Sequence, residues 1–126
     1  MPPPDSRQTL GKQGEDLAAQ ELRRRGYAIL ARRYRTRFGE IDIVAEDAGA
    51  VIFVEVKARK TAQFGSAADC VPSWKQRRVA AMALDYLART DRLEHPSRFD
   101  VVAIDGIGTS KMTVQVIQNA FSSRRP

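Results

Sequence analysis

Two short apolar segments carry acids where a buried strand has least room for them. They are Gly39-Glu40-Ile41-Asp42-Ile43-Val44-Ala45 and Val51-Ile52-Phe53-Val54-Glu55-Val56-Lys57, with the turn signal Asp47-Ala48-Gly49 between them. Richness in Val, Ile and Phe around a Gly-containing turn predicts a β-hairpin. Side chains alternate along a strand, so Glu40, Asp42 and Val44 are expected on one face, and Phe53, Glu55 and Lys57 likewise. A turn centred between Ala48 and Gly49 sets Asp42 opposite Glu55 and Glu40 opposite Lys57, with Cβ atoms about 5 Å apart. A one-residue slip would instead face Asp42 with Val54. Glu40 with Lys57 is an ordinary cross-strand ion pair. Asp42 with Glu55 is not, because like charges directly opposed are destabilising. The apolar neighbours suggest strands covered on both faces, where two carboxylates raise their pKa or recruit a cation. Acids in such a setting mark function more often than packing.

The rest of the chain frames this hairpin. Leu10, Leu17, Ala18 and Leu22 recur at helical spacing from about Gln8 to Arg25, and Gly26 is a stop signal. Tyr27 to Tyr34 reads as a first strand, Glu40 to Glu46 as the second and Ala50 to Ala58 as the third. Arg59 to Val71 is polar, with Gly65 inside it, and is expected to be a loop. Ser73 with Gln76 fits a capping box, and Val79, Ala83, Tyr86 and Leu87 give an apolar stripe through about Arg89. Arg98 to Asp105 and Lys111 to Gln118 complete the strands. The order α-β-β-β-α-β-β predicts an α/β fold, one mixed sheet flanked by helices. One domain over 1–126 is expected, with a core of about 8–118 and loose termini.

Composition removes several function classes. Cys70 is the only cysteine and His95 the only histidine, which excludes an internal disulfide, a cysteine zinc site and a two-histidine relay within the chain. No apolar run approaches the roughly 20 residues of a membrane span. Met1-Pro2-Pro3-Pro4-Asp5 has no signal-peptide core, so no membrane and a cytoplasmic location are expected. The formal charge is +6 at pH 7, and it is unevenly spread. Seven arginines and one acid lie between Glu21 and Arg37, while Glu40 to Glu55 holds five acids and no base. Further bases cluster at Lys57-Ala58-Arg59-Lys60 and Lys75-Gln76-Arg77-Arg78. Any one cluster is most simply solvated surface. Basic flanks around an acidic focus are also what a phosphodiester-processing site requires, with nucleic acid, DNA first, as the partner.

An acid on one strand followed by Glu-Val-Lys on the next resembles the PD-(D/E)XK nuclease signature. The wider context is Gly11-Lys12-Gln13-Gly14-Glu15, Gly39-Glu40-Ile41-Asp42, Phe53-Val54-Glu55-Val56-Lys57-Ala58-Arg59, Lys75-Gln76-Arg77-Arg78 and Arg98-Phe99-Asp100-Val101-Val102. In this order, from about Gly11 to Ile104, it resembles the YraN family of uncharacterised bacterial proteins. That family in turn resembles Holliday-junction resolvases and other restriction-endonuclease-like folds. The resemblance implies a nuclease with Asp42, Glu55 and Lys57 at the motif positions and Glu15 as an acid from the first helix. Arg33 stands where the family pattern suggests Asn ahead of Tyr34-Arg35, a departure that bears on a local contact and not on the acidic centre.

The chemistry follows from the residue types. Oxygen ligands from Asp42 and Glu55, completed by water, substrate and the backbone carbonyl of Val56, suit Mg²⁺ or Mn²⁺ rather than zinc. Lys57 would orient the attacking water or stabilise charge on the phosphate. Glu15 would complete the network, with a helix-surface acid as the plain alternative. Arg35, Arg37, Arg59, Lys75, Arg77 and Arg78 are the expected phosphate contacts. Trp74 and Tyr34 could stack bases, but core packing is the expected use of a Trp near a helix start. Asp100 is expected to be structural and His95 a loop residue. Gly106-Ile107-Gly108 precedes a strand rather than a helix, unlike a dinucleotide fingerprint. The function expected is a metal-dependent endonuclease acting on DNA, including branched or damaged forms. The alternative is a non-catalytic nucleic-acid or protein-binding module on the same fold. A chain too small to enclose a duplex unaided adds weight to the protein-interaction alternative, and a homodimer is a further partner considered.

Overall fold

In a computed structural model, residues 6–60 and 71–121 are described. Helix α1 (Ser6–Arg24) leads into β1 (Ala28–Thr36), β2 (Gly39–Asp47) and β3 (Ala50–Arg59). Helix α2 (Ser73–Arg89) then precedes β4 (Ser97–Asp105) and β5 (Thr113–Phe121). The strands form one sheet in chain order, antiparallel throughout except for the parallel β3–β4 pair that α2 connects. This is the expected mixed α/β sheet with flanking helices, consistent with a restriction-endonuclease-like fold. The expected Arg59–Val71 loop lies mostly outside the described residues, as do Gly65, Cys70 and the outermost terminal residues.

The helices cover opposite faces. Ala18, Ala19 and Leu22 of α1 pack on Ile43, Ala45, Ile52, Val54, Val102 and Ile104. Val79, Met82, Ala83, Tyr86 and Leu87 of α2 pack on Ile41, Val44, Val51, Phe53 and Phe99. Burial on both faces explains the near-continuous apolar runs of the central strands. Each fully buried Leu or Phe here contributes about 1.5–3 kcal/mol of transfer free energy.

The helix ends follow backbone chemistry. Gly26, at φ +92°, terminates α1: its N–H donates to the Arg23 carbonyl, and Tyr27 N–H donates to the Leu22 carbonyl. This is a Schellman closure, with Leu22 and Tyr27 sharing the same core. The expected Ser73 cap is not formed. Pro72 occupies the N-cap position with no side-chain cap, and the Gln76 amide instead donates to the Val71 carbonyl at 2.9 Å. Asp100 is structural as expected. It is fully buried, accepts from Arg98 at 3.1 Å and from the Asn119 N–H at 3.0 Å, and Arg98 also donates to the Tyr27 hydroxyl at 2.7 Å.

Candidate active site

The β2–β3 hairpin has the register expected from its turn. Ile43 pairs with Val54, Val44 with Phe53, Ala45 with Ile52 and Asp47 with Ala50. Ala48 (φ +52°) and Gly49 (φ +83°) form the two-residue turn, both left-handed as a type I′ turn requires. The ladder stops at Ile43–Val54, one step short of Asp42. There the Asp42 side chain takes over, its Oδ2 accepting the Val56 N–H at 2.8 Å.

This substitution of a side chain for a backbone bond alters the strand. Ile41 and Val44 lie under α2, whereas Ile43 and Ala45 lie under α1. The alternation therefore breaks at Asp42, and Glu40, Asp42 and Val44 do not share one face as strict alternation predicts. The β1–β2 ladder skips the same level, running from Arg32–Ile43 to Tyr34–Ile41. Arg33, in the skipped position, has φ +54°. That left-handed backbone is the conformation Asn tolerates better than most residues, so the backbone here gives a physical reason to expect Asn ahead of Tyr34.

Around Asp42 the charges are dense. Burial, and then the Glu55 carboxylate, push the Asp42 carboxyl up to about 7; Glu15 adds to the rise, while the Val56 N–H and Lys75 oppose it. Glu55 is held by two ammonium groups, Lys75 at 2.5 Å and Lys57 at 3.8 Å. Burial, and next the neighbouring Lys75, hold the Lys57 ammonium below its usual range. Burial also pulls at Lys75, but its bond to Glu55 and the Glu55 charge outweigh this and raise it. Asp42, Glu55, Lys57 and Glu15 are thus brought into one electrostatic neighbourhood at the open end of the hairpin. Lys75, expected at phosphate, belongs to that neighbourhood, and sequence gave no sign that α2 would deliver it there.

Glu15 is placed by a close approach. Gly14 packs on β3 so tightly that a Cβ there would stand 2.5 Å from the Ala58 Cβ. The Glu15 side chain, on a residue only 6% exposed, accepts from Arg32 Nε and Arg33 Nε, each at 3.0 Å. Both of its oxygens are therefore engaged by β1. Glu40 does not meet Lys57: it lies across β1–β2 from Arg35 and pairs with it at 3.1 Å.

The expected phosphate contacts divide. Arg59 is bound to Asp105, with Nε–Oδ1 at 2.7 Å and the Nη2–Oδ2 contact at 3.3 Å. Arg35, Arg37, Arg77 and Arg78 are exposed. Tyr34 is not a stacking surface, since its hydroxyl donates to Asp85 at 2.6 Å and its ring meets Tyr86 edge-on. Burial and the Asp85 bond push that phenol up to about 12. Trp74 departs from its expected place in the core: it is exposed, with Arg78 over its ring. No helix among the described residues is long and apolar enough to cross a membrane.

Comparison with known proteins agrees over the same stretch. A protein of Symbiobacterium thermophilum named as a UPF0102 protein is 44% identical over 112 residues, covering 89% of this chain and 95% of the relative. A UPF0102 protein of Desulfosudis oleivorans is 44% identical over 119 residues, 94% of each chain. One from Ralstonia pickettii is 51% identical over 100 residues, covering 76% of this chain and 80% of the relative. Residues 14–104 match the family as a whole, from the Gly14 contact through the end of the β4 core, and this chain belongs to the uncharacterised protein family UPF0102.

Proposed function

We propose that this protein is a metal-dependent endonuclease of the PD-(D/E)XK type, hydrolysing phosphodiester bonds in DNA. The observation that carries the reading is the convergence of Asp42 and Glu55 where the β2–β3 ladder ends, flanked by Lys57 and Lys75. Two carboxylates forced together in a partly buried site, one of them raised to about 7, are stabilised by a divalent cation. Among the described residues no group of three or more His, Cys, Asp or Glu converges as a ready cage. An oxygen-only pair of carboxylates is the donor type that suits Mg²⁺ or Mn²⁺, which bind through one or two carboxylates and keep water and substrate oxygens. A third oxygen is available in principle. A residue's N–H and C=O point to the same side of a strand, so the Val56 carbonyl faces the β2 side, as its N–H does.

Each residue then has a role. Asp42 and Glu55 would hold the cation, which would supply charge neutralisation on the phosphate and acidify a water. Lys57 offers an ammonium whose lowered pKa suits holding and releasing a proton beside the reacting phosphate. Glu15 acts from behind, fixing Arg32 and Arg33 and adding negative charge near Asp42. Arg35, Arg37, Arg77 and Arg78 contact the nucleic-acid backbone.

A second reading is favoured by one observation: Lys75 already neutralises Glu55 at 2.5 Å, as suits a binding module without catalysis. Cleavage of branched, single-stranded and duplex DNA with Mg²⁺ or Mn²⁺ decides between them. Asp42→Asn and Glu55→Gln are each expected to lower cleavage by about a hundredfold or more while metal-free DNA affinity holds or rises. Wild-type protein that cuts nothing with either ion, or an Asp42 variant that cuts equally well, sinks the catalytic assignment.

A further inference from the structure

Beside the acidic centre, the surface carries two aromatic rings that the core does not use. Phe38 is 40% exposed and Trp74 is 54% exposed. Each has a guanidinium over its face: Arg37 Cζ lies 4.8 Å from the Phe38 centroid and Arg78 Cζ 5.0 Å from that of Trp74. The two pairs come from the β1–β2 turn and the first turns of α2, and those elements touch. A Cβ on Gly39, next to Phe38, would lie 3.6 Å from Arg78 Cδ and 3.5 Å from Met82 Sδ. The surface also adjoins the carboxylates, because Lys75, the residue after Trp74, is the one bonded to Glu55.

We propose that Phe38 and Trp74, with Arg37 and Arg78, form a stacking platform for unpaired nucleobases, so that the substrate contains a single-stranded stretch. The proposal rests on the nucleic-acid reading above and narrows it. A base offers a flat π-face to an aromatic ring or guanidinium plane, and every base can do so, which makes such platforms tolerant of sequence. In a duplex those faces are stacked on neighbouring bases. The charge is complementary as well. Arg37, Arg77 and Arg78 are exposed on the same two elements, and α2 has no acid in its first turn to cancel the partial positive charge of its N-terminus. An apolar protein partner on this surface would have to desolvate Arg37 and Arg78 without a counter-charge, which is costly. A strand whose bases rest on the rings keeps its phosphates beside those arginines and leads towards Asp42 and Glu55.

Trp74 is the only tryptophan in the chain, so its emission reports directly on the platform. The experiment titrates the full-length protein, in EDTA, with fluorescently labelled oligothymidine, an abasic oligonucleotide of equal length and a blunt duplex. Binding is read by anisotropy and stacking by Trp74 emission. Oligothymidine is expected to bind with quenching, and the abasic strand to bind more weakly without it. Phe38→Ala is expected to lower oligothymidine affinity about tenfold while leaving the salt slope unchanged, whereas Arg77→Ala lowers that slope by about one. Unfolding midpoints of both variants serve as the control for folding. Full-affinity binding of oligothymidine with unaltered emission, or equal binding of the abasic strand, overturns the platform and leaves the cleavage reading standing. Binding of none of the three also overturns the platform, and the separate Mg²⁺ cleavage assay then reports whether the nuclease reading survives. Emission that changes with the concentration of protein alone marks the face as a contact between copies, and overturns the proposal too.

Discussion

Gly14 of α1 meets Ala58 of β3 with no space for a side chain between them: a Cβ at position 14 would stand 2.5 Å from that of Ala58. The atom it would strike sits on a central strand and cannot swing away. Gly14→Ala is therefore expected to force α1 outward, costing about 1–3 kcal/mol of stability. The same shift moves Glu15 off Arg32 and Arg33, so any cleavage should fall by more than the loss of folded protein explains. Chemical denaturation beside activity per folded molecule checks both parts.

Asp42 makes stability depend on pH in an unusual direction. Its folded pKa of about 7 lies above the ordinary 3.8, so between these values the folded state keeps a proton that the unfolded state has released. Stability contributed by this group is present below about pH 4, falls as pH rises towards 7, and stays lost above it. Asp42→Asn should remove that slope and leave the variant more stable than wild type at pH 8. Mg²⁺ should raise the wild-type melting temperature more at pH 8 than at pH 5, because binding requires the ionised carboxylate. A pH-independent Mg²⁺ effect would place the ion elsewhere.

Lys75 competes with any cation for Glu55. Lys75→Met removes the ammonium at 2.5 Å and leaves Lys57 at 3.8 Å as the nearer remaining charge. Metal-free stability is expected to drop by about 1–3 kcal/mol, since Glu55 loses its closest partner. Calorimetric titration should at the same time show tighter Mg²⁺ binding than wild type. Unchanged or weaker binding would argue that Glu55 is not a ligand.

The hairpin turn can be improved. Ala48 holds φ +52°, a strained conformation for a residue with a Cβ and no polar side chain. Ala48→Asn places the favoured Asn-Gly pair at a type I′ turn and should add about 0.5–1 kcal/mol, measured by urea denaturation. The candidate site lies at the other end of the hairpin, so any cleavage should be unaffected.

The hairpin and its register were legible because turn chemistry and an apolar pattern agreed on one answer. That register brings Asp42 close enough to feel the Glu55 charge, although the ladder itself ends one pair short of them. The break in alternation at Asp42 was not legible, since it arises when a side chain displaces a ladder bond, and no periodicity encodes that. Glu40 chose Arg35 over Lys57 for a related reason: β3 no longer pairs with β2 at that level, while β1 does. Lys75 on Glu55 depends on how the crossover helix sits over the sheet, a tertiary result. The general habits of tryptophan favour the core for Trp74, whereas its ring is exposed. Its neighbours in the helix, Ser73, Lys75, Gln76 and Arg77, form a polar stretch, and a helix start so polar leaves little apolar surface for a tryptophan to pack on.

Among the described residues the sheet has two open edges, and the two are unlike. The β1 edge carries Arg32, Arg33 and Arg35, charges that discourage another strand from joining it. Strand β5, the other edge among the described residues, reads Thr-Val-Gln-Val-Ile-Gln-Asn-Ala-Phe and has no charge at all. At low ionic strength the surplus of +6 keeps copies apart. Salt screens that repulsion within about 10 Å at 0.1 M. Crowding with salt should therefore drive molecules together through β5 while it loosens any hold on DNA, and light scattering of wild type against Gln115→Lys would separate the two trends. A lysine on that edge should keep the protein dispersed where wild type scatters, so the uncharged strand would set how much salt the protein tolerates.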